Sequence, residues 1–181
     1  IGALLAMPLV ILKIMASHQE EEEQENFDGF MDAALIEAES AVQAGNHPFG
    51  AVLVVDGSIV LRAQNAVLRV DEGDNFSDST RHAEMELVSK ASRSLAPEVL
   101  AKATLVTSTE PCPMCSGAIY WGGIGRVVYG CPAAVLGGIS GEELGDGCRR
   151  VLGSGILRKV DVVGPVLEER ATEQHRSFWI N

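Results

Sequence analysis

Positive charge is what this chain most conspicuously lacks. Its 181 residues carry 14 Lys and Arg against 25 Asp and Glu, a formal net charge of -11. Proteins that hold nucleic acid draw most of their affinity from Lys and Arg set against phosphates, so the composition disfavours a large polyanion and favours a small substrate. The deficit is uneven: Glu20, Glu21, Glu22, Glu23 and Glu25 against Lys13 give -4 in the first 25 residues and leave -7 on residues 26–181. A long apolar run is missing too. The one candidate, "IGALLAMPLVILKIMA" at residues 1–16, is too short for a comfortable membrane span. It reads as a signal-peptide remnant, a short anchor, or translated vector or upstream sequence, with Met15 as a natural start. The acidic "HQEEEEQEN" after it reads as a solvated linker. There is no internal repeat and no second domain, and the length suits one domain with a sizeable core.

From Phe27 onward the hydrophobic period alternates between that of a helix and that of a strand. "FDGFMDAALIEAESAVQAG" sets Phe27, Phe30, Met31, Ala34, Leu35, Ala38 and Val42 at helical spacing and stops at Gly45. "GAVLVVDGSIVLRAQN" is two β-branched runs around Asp56-Gly57, a strong hairpin signal. Beyond it the pattern predicts a helix in "STRHAEMELVSKASRSL", a strand in "ATLVTS", a helix in "CPMCSGAIYWG" and a strand in "RVVYG". It then predicts a weak helix in "GEELGDGCRRVLGSG", a strand in "RKVDVVG", and a helix opened by Pro165 in "PVLEERATEQHRSFW". About five strands with helices between them predict a three-layer α/β/α sandwich around one mixed sheet.

Cysteine is sparse, and the four residues form a single Cys-x-x-Cys, Cys112 and Cys115. Alone, such a pair serves as half of a structural zinc site, as a redox dithiol, or as two ligands of a catalytic metal. The positions i and i+3 set both sulfurs on one side of a helical turn, and Pro111 and Pro113 suit a first turn, where a missing N–H costs little. Helix-start amides lower a thiol pKa, and thiolates are what zinc binds. A structural zinc needs four protein ligands, and Cys131 and Cys148 make no second pair. His82, opening the preceding helix, is the most economical third ligand. Three protein ligands leave one position open, the mark of a catalytic zinc. Glu84, two residues along the same turn, stays within reach of whatever fills that position. Two thiolates neutralise the ion's charge and acidify water less than an all-His site, a deficit that a neighbouring carboxylate able to take the proton makes up.

His82-Ala83-Glu84 followed by Pro111-Cys112-Pro113-Met114-Cys115 resembles the H-x-E … P-C-x-x-C signature of the cytidine-deaminase-like superfamily, and within it the branch of nucleobase and tRNA-adenosine deaminases. The likeness runs from about Phe27 to Trp179, supported by "HPFGAVLV", Asn65 at the end of the second predicted strand, "STRHAEMELV", "TSTEPCPMCSGAIYW" and "IGRVVYG". It implies a zinc-dependent deaminase domain over residues 26–181 behind a poorly ordered extension at 1–25. It implies one Zn2+ per chain on His82, Cys112 and Cys115 with water or hydroxide as fourth ligand, and Glu84 as proton shuttle. Asn65 matches the side-chain amide that reads the base, and the backbone at Ala83 and the Thr109-Glu110 turn lines the pocket. The implied reaction is hydrolytic and releases ammonia without an organic cofactor. The implied partners are a small base or nucleoside and a second copy in a homodimer; the charge balance disfavours a nucleic acid, and a membrane is a partner only if the apolar N-terminus is a true anchor.

Within that branch the "PFGA" element, the "EPCPMC" block and a C-terminal helix ending in Phe178-Trp179 look most like guanine deaminases, whose C-terminal segment closes over a pocket, often a partner's. Guanine deaminases carry an acid soon after the strand matching "VVYG"; here Cys131-Pro132-Ala133-Ala134 stands there, and the next acids are Glu142, Glu143 and Asp146. The alternatives are cytosine or a nucleoside, and tRNA adenosine-to-inosine editing, for which Arg149, Arg150, Arg158, Lys159, Arg170 and Arg176 offer cations among Glu168, Glu169 and Glu173. A non-catalytic deaminase-like subunit usually loses the carboxylate that Glu84 retains. Blander readings are that Asn65 only ends a strand, that His47 is loop structure, that His18 and His175 lie on the surface, and that Tyr120 and Trp121 serve the core or a dimer contact. Cys131 and Cys148 read as buried thiols of a reduced compartment, with their disulfide still open, and the expected location is the cytoplasm.

Overall fold

The computed structural model describes residues 27–141 and 147–180. The apolar and acidic N-terminal segments, His18, Glu142, Glu143 and Asp146 lie outside the described residues. Residues 27–43 are helix α1. β1 (Gly50–Val55) and β2 (Ser58–Gln64) follow as an antiparallel hairpin. Asp56 (φ 48°) and Gly57 (φ 72°) both take the left-handed conformation, which matches a two-residue turn to the twist of its strands. Then come α2 (Ala83–Ser94), the short α3 (Pro97–Leu100), β3 (Thr104–Thr109), α4 (Pro113–Gly122), β4 (Arg126–Cys131), α5 (Ala133–Ser140), α6 (Cys148–Gly153), β5 (Asp161–Val163) and α7 (Glu168–Trp179). The five-stranded sheet runs β2-β1-β3-β4-β5. β1 is antiparallel to both neighbours, and β3, β4 and β5 are parallel. The expected mixed sheet between two helical layers is observed.

β1, β3 and β4 are buried almost end to end, while the edge strand β2 alternates. Strands covered on both faces read as unbroken apolar runs, and an edge strand keeps a wet side. Ala51, Leu53, Leu105 and Val127 face Leu87, Val88, Ile119 and Leu152 of α2, α4 and α6. Val52, Val54, Val106 and Val128 face Met31, Ala34 and Leu35 of α1 and Ala171 of α7. Parallel β3 and β4 therefore end at one edge, and in such sheets the ligand crevice lies beyond the carboxyl ends of the strands.

The structure departs from the sequence pattern in places. In α1 the stripe includes buried Ala33 and Ala41 but not Val42, which is exposed. Helices α3 and α5 were not predicted; "AAVLGGIS" contains two glycines, which disfavour helix. The last helix opens at Glu168 rather than Pro165, because the buried Val166 donates its N–H to Tyr129 O (2.9 Å) and ties residues 165–167 to β4 first. β5 is confined to Asp161–Val163, with Arg158 drawn over the Tyr120 ring (5.6 Å) and Lys159 paired to Asp161 (2.9 Å).

A Cβ built at Gly50 would lie 2.3 Å from both Ala34 O and Ala38 N, so α1 crosses β1 on bare backbone. Gly50→Val should lower stability by roughly 1–3 kcal/mol or more, seen as a lower urea midpoint. An unchanged midpoint would show that α1 can stand off the strand.

Candidate active site

His82 and Cys112 hold equivalent places: each is the N-cap of its helix, α2 and α4. Both helices pack on the same sheet face and start at the carboxyl edge of β3. His82 Nδ1 lies 3.8 Å from Cys112 Sγ and 3.6 Å from Cys115 Sγ, and the three ligating atoms fall within 4.8 Å of one another. Ligand bonds of ~2.1 Å to nitrogen and ~2.3 Å to sulfur at tetrahedral angles put N and S about 3.5 Å apart. One imidazole and two thiols at these separations fit zinc. The Cys112 thiol is drawn down to about 4, first by the hydrogen bond from Cys115 and also by His82, while Cys115 is pushed up by that same bond and by burial. His82 is raised, mainly through its bond to Cys112.

Glu84 is the second residue of α2 and is 6% exposed. Oε1 lies 3.2 Å from the Thr107 hydroxyl, and Oε2 lies 3.6 Å from Cys115 Sγ. One carboxylate oxygen is thus tethered to β3 while the other faces the sulfurs, and burial pushes the carboxyl up. A carboxyl that holds its proton more tightly than usual, next to a metal cradle, is suited to shuttling protons.

Asn65 follows β2 directly and is 2% exposed. Its N–H donates to Phe49 O (2.9 Å), and its Oδ1 accepts from Val67 N (3.1 Å). The side-chain oxygen ends the strand, leaving the amide NH2 as what Asn65 can offer a ligand. Ala83, the buried first residue of α2, adjoins His82. The Glu110 N–H donates to Cys131 O (2.8 Å), but its carboxylate points elsewhere. Oε2 accepts from Ala133 N (3.1 Å) and Oε1 from Cys148 N (2.9 Å), the first residues of α5 and α6. Only the backbone of this turn is left to line a pocket. The same bonds explain why the glycine-containing α5 forms.

Residues 24–131 match the cytidine and deoxycytidylate deaminase zinc-binding region. The chain belongs to that deaminase family. It is 37% identical over 159 residues to a probable cytosine deaminase of Schizosaccharomyces pombe, covering 83% of this chain and 90% of that one. It is 41% identical over 150 residues to a tRNA-specific adenosine deaminase of Bacillus subtilis, covering 83% and 86%. It shares its fold with a guanine deaminase from Nitrosomonas europaea, at a TM-score of 0.69, 23% identity and 85% of each chain. The protein is a deaminase, a hydrolase acting on C–N bonds, of the cytidine-deaminase-like fold.

Other parts of the deaminase depart from the sequence reading or refine it. His175, expected at the surface, is fully buried, because α7 lays it on Thr109 (Oγ1 to Nε2, 2.7 Å) and beside Phe49 (ring centroids 5.2 Å). Its place at i+4 from Ala171, on the buried stripe of α7, was the available signal. Tyr120 is in the core, whereas Trp121 is 74% exposed. All four cysteines are free, and Cys131 and Cys148 are buried. Thr107 and the helix-binding role of the Glu110 carboxylate had no sequence signal, since both depend on contacts across the fold. Two surface grooves, of about 470 Å³ between α1 and α7 and about 590 Å³ beside α6 and β5, border none of the three ligating residues. No helix among the described residues is long and apolar enough to cross a membrane.

Two tests follow from these contacts. Glu110→Ala removes a charged acceptor from two amides and should cost about 2–5 kcal/mol; hydrogen exchange should speed up at Ala133 and Cys148 and not within α2. Equal protection in the variant would refute the clamp. Burial lowers His175 from 6.5 to about 4, so the unfolded chain takes up that proton first as pH falls. Native stability should drop between about pH 6.5 and 4, by up to ~1.4 kcal/mol per pH unit, and level off below. His175→Phe should flatten that limb, and an unchanged acid limb would rule the assignment out.

Proposed function

We propose that this deaminase hydrolyses the exocyclic amino group of a free nucleobase, with guanine first, and releases ammonia. The observation that favours a base over tRNA is where the cations go. Arg149 donates to the carbonyls of Val162 (2.7 Å) and Gly164 (3.3 Å), and Arg158 lies over Tyr120. Lys159 pairs with Asp161, Arg170 with Asp32, and Arg176 with Glu169 and Glu173. Cations matched by acids and carbonyls of their own chain add little field for phosphates, and the net charge of -11 opposes it further. The end of α7 supports the same reading: Phe178 and Trp179 pack on His47 of the same chain (6.0 and 5.3 Å), an aromatic wall suited to a small ring. Cytosine is the second reading. It is favoured by the likeness to the S. pombe protein along nearly its whole length and by the lack of an acid at residues 131–134, where the nearby Glu110 carboxylate is already engaged.

In this reading His82 Nδ1, Cys112 Sγ and Cys115 Sγ hold the metal. When bound, zinc supplies the Lewis acidity that makes water a competent nucleophile at neutral pH. The Asn65 amide and the backbone at Ala83 and the Thr109-Glu110 turn orient the base. Glu84 carries the protons at Oε2: it takes one from the attacking water, delivers it to the ring nitrogen, and then serves the departing amino group. Water and amine thereby become ring carbonyl and ammonia. Thr107 holds the other carboxylate oxygen and so fixes the direction of the shuttle.

Glu84→Ala should keep zinc and fold while kcat/KM falls by ~10²–10⁴, and Cys112→Ala should lose zinc and activity together. Ammonia release is to be measured on guanine, cytosine, adenine, their nucleosides and a tRNA anticodon stem-loop, with metal content read by emission spectroscopy. Near-normal turnover by Glu84→Ala would refute the mechanism, and turnover of the stem-loop alone would refute the choice of a free base.

A further inference from the structure

Helix α7 carries three buried polar atoms that no described residue engages, Gln174 Oε1, His175 Nδ1 and Trp179 Nε1. Gln174 turns toward α1, where its Nε2–H donates to Leu35 O (3.0 Å), whereas His175 and Trp179, at i and i+4, share one helical face. An unpaired buried polar group costs about 1–3 kcal/mol, and native structures keep few of them without a reason. Their surroundings supply one. His175 Nε2 meets Thr109, which lies two residues after the Glu84 partner Thr107 and three before Cys112. The imidazole also lies against Phe49, whose carbonyl takes the Asn65 N–H. Trp179 sits against His47 in that same loop. His175 thus touches both Thr109, on the strand that also carries Thr107, and Phe49, whose carbonyl holds Asn65.

We propose that His175 Nδ1 and the Trp179 indole N–H are specificity-determining contacts to the substrate, an acceptor beside a donor that together read a ring edge where N–H adjoins C=O. The inference rests on the free-base reading and narrows it. Tryptophan only donates, and a neutral imidazole whose Nε2–H is given to the Thr109 oxygen presents Nδ1 as acceptor. Burial keeps the ring neutral, with its pKa at about 4. Guanine and cytosine each carry an N–H/C=O edge. Adenine and adenosine carry none, so the pair would select against them by leaving its own groups unmatched.

The test uses the zinc-loaded full chain and exploits side-chain geometry: asparagine sets a polar atom near Nδ1 and drops Nε2, whereas glutamine does the reverse. Binding by calorimetry and ammonia release on guanine and cytosine are compared for wild type, His175→Asn, His175→Gln and Trp179→Phe. Zinc content and thermal midpoint are recorded for each. His175→Gln and Trp179→Phe should raise Kd and KM by ~10-fold or more with kcat within about 3-fold, and His175→Asn should stay nearer wild type. A residue that acts only on Thr109 gives the opposite order, with Gln near wild type and Asn impaired, and that order overturns the proposal. So does unchanged binding in Trp179→Phe, which keeps the ring's bulk and decides the matter if a His175 variant loses zinc or fold. Activity on a free base with the inverted order sinks this inference alone. A wild type that acts only on the stem-loop sinks the free-base reading and this inference together.

Discussion

Three acidic groups crowded into one partly buried corner set the terms for this fold. Cys115 lies 3.6 Å from Glu84, and both sulfurs are within 3.8 Å of His82. Like charges that close, cut off from water, cannot all ionise unless something positive shares the space. The chain meets the demand with the dipoles of two helix starts, an imidazole, and a donor set that fits zinc. Those supports work only if α2 and α4 begin at one edge and lie close together. A Cβ at Gly122 of α4 would come within 2.8 Å of the Val88 side chain of α2, so the two helices pack about as tightly as the backbone permits.

A second constraint radiates from the residue just before Pro111. The Glu110 carboxylate receives the opening amides of α5 and α6, and its own amide bonds to the end of β4. One acidic side chain at the carboxyl edge of the sheet thus sets where two later helices begin. A Cβ on Gly147 would lie 2.8 Å from Glu110 Oε1, which leaves little room there for anything but glycine.

What could be read in the sequence was what local rules decide. The alternating strand pattern, the Asp56-Gly57 turn and the helix–strand–helix run that carries His82, Glu84, Cys112 and Cys115 all express short-range geometry, and each stands in the structure where the spacing put it. What escaped depends on partners far along the chain. The α5 segment is a poor helix by propensity and is held by Glu110. The start of α7 is delayed by the bond of Val166 to Tyr129. His175, a polar residue among charged neighbours, looks exposed until α7 is laid on Thr109 and Phe49. Asn65 ends its strand through its side-chain oxygen, as one of its two readings has it, and the other, contact with a base, would use the NH2.

The order of these pieces along the chain has a consequence for how the protein comes into being. Everything in the metal cradle lies between His82 and Cys115, and the stretch matching the family ends at Cys131, while α7 comes last. Chains emerge from the ribosome N-terminus first, yet a domain folds as a unit. Ala171 of α7 belongs to the core that covers one face of the sheet, so the residues of the cradle are made well before the last piece of the core that positions them. The cradle is therefore encoded early and completed late.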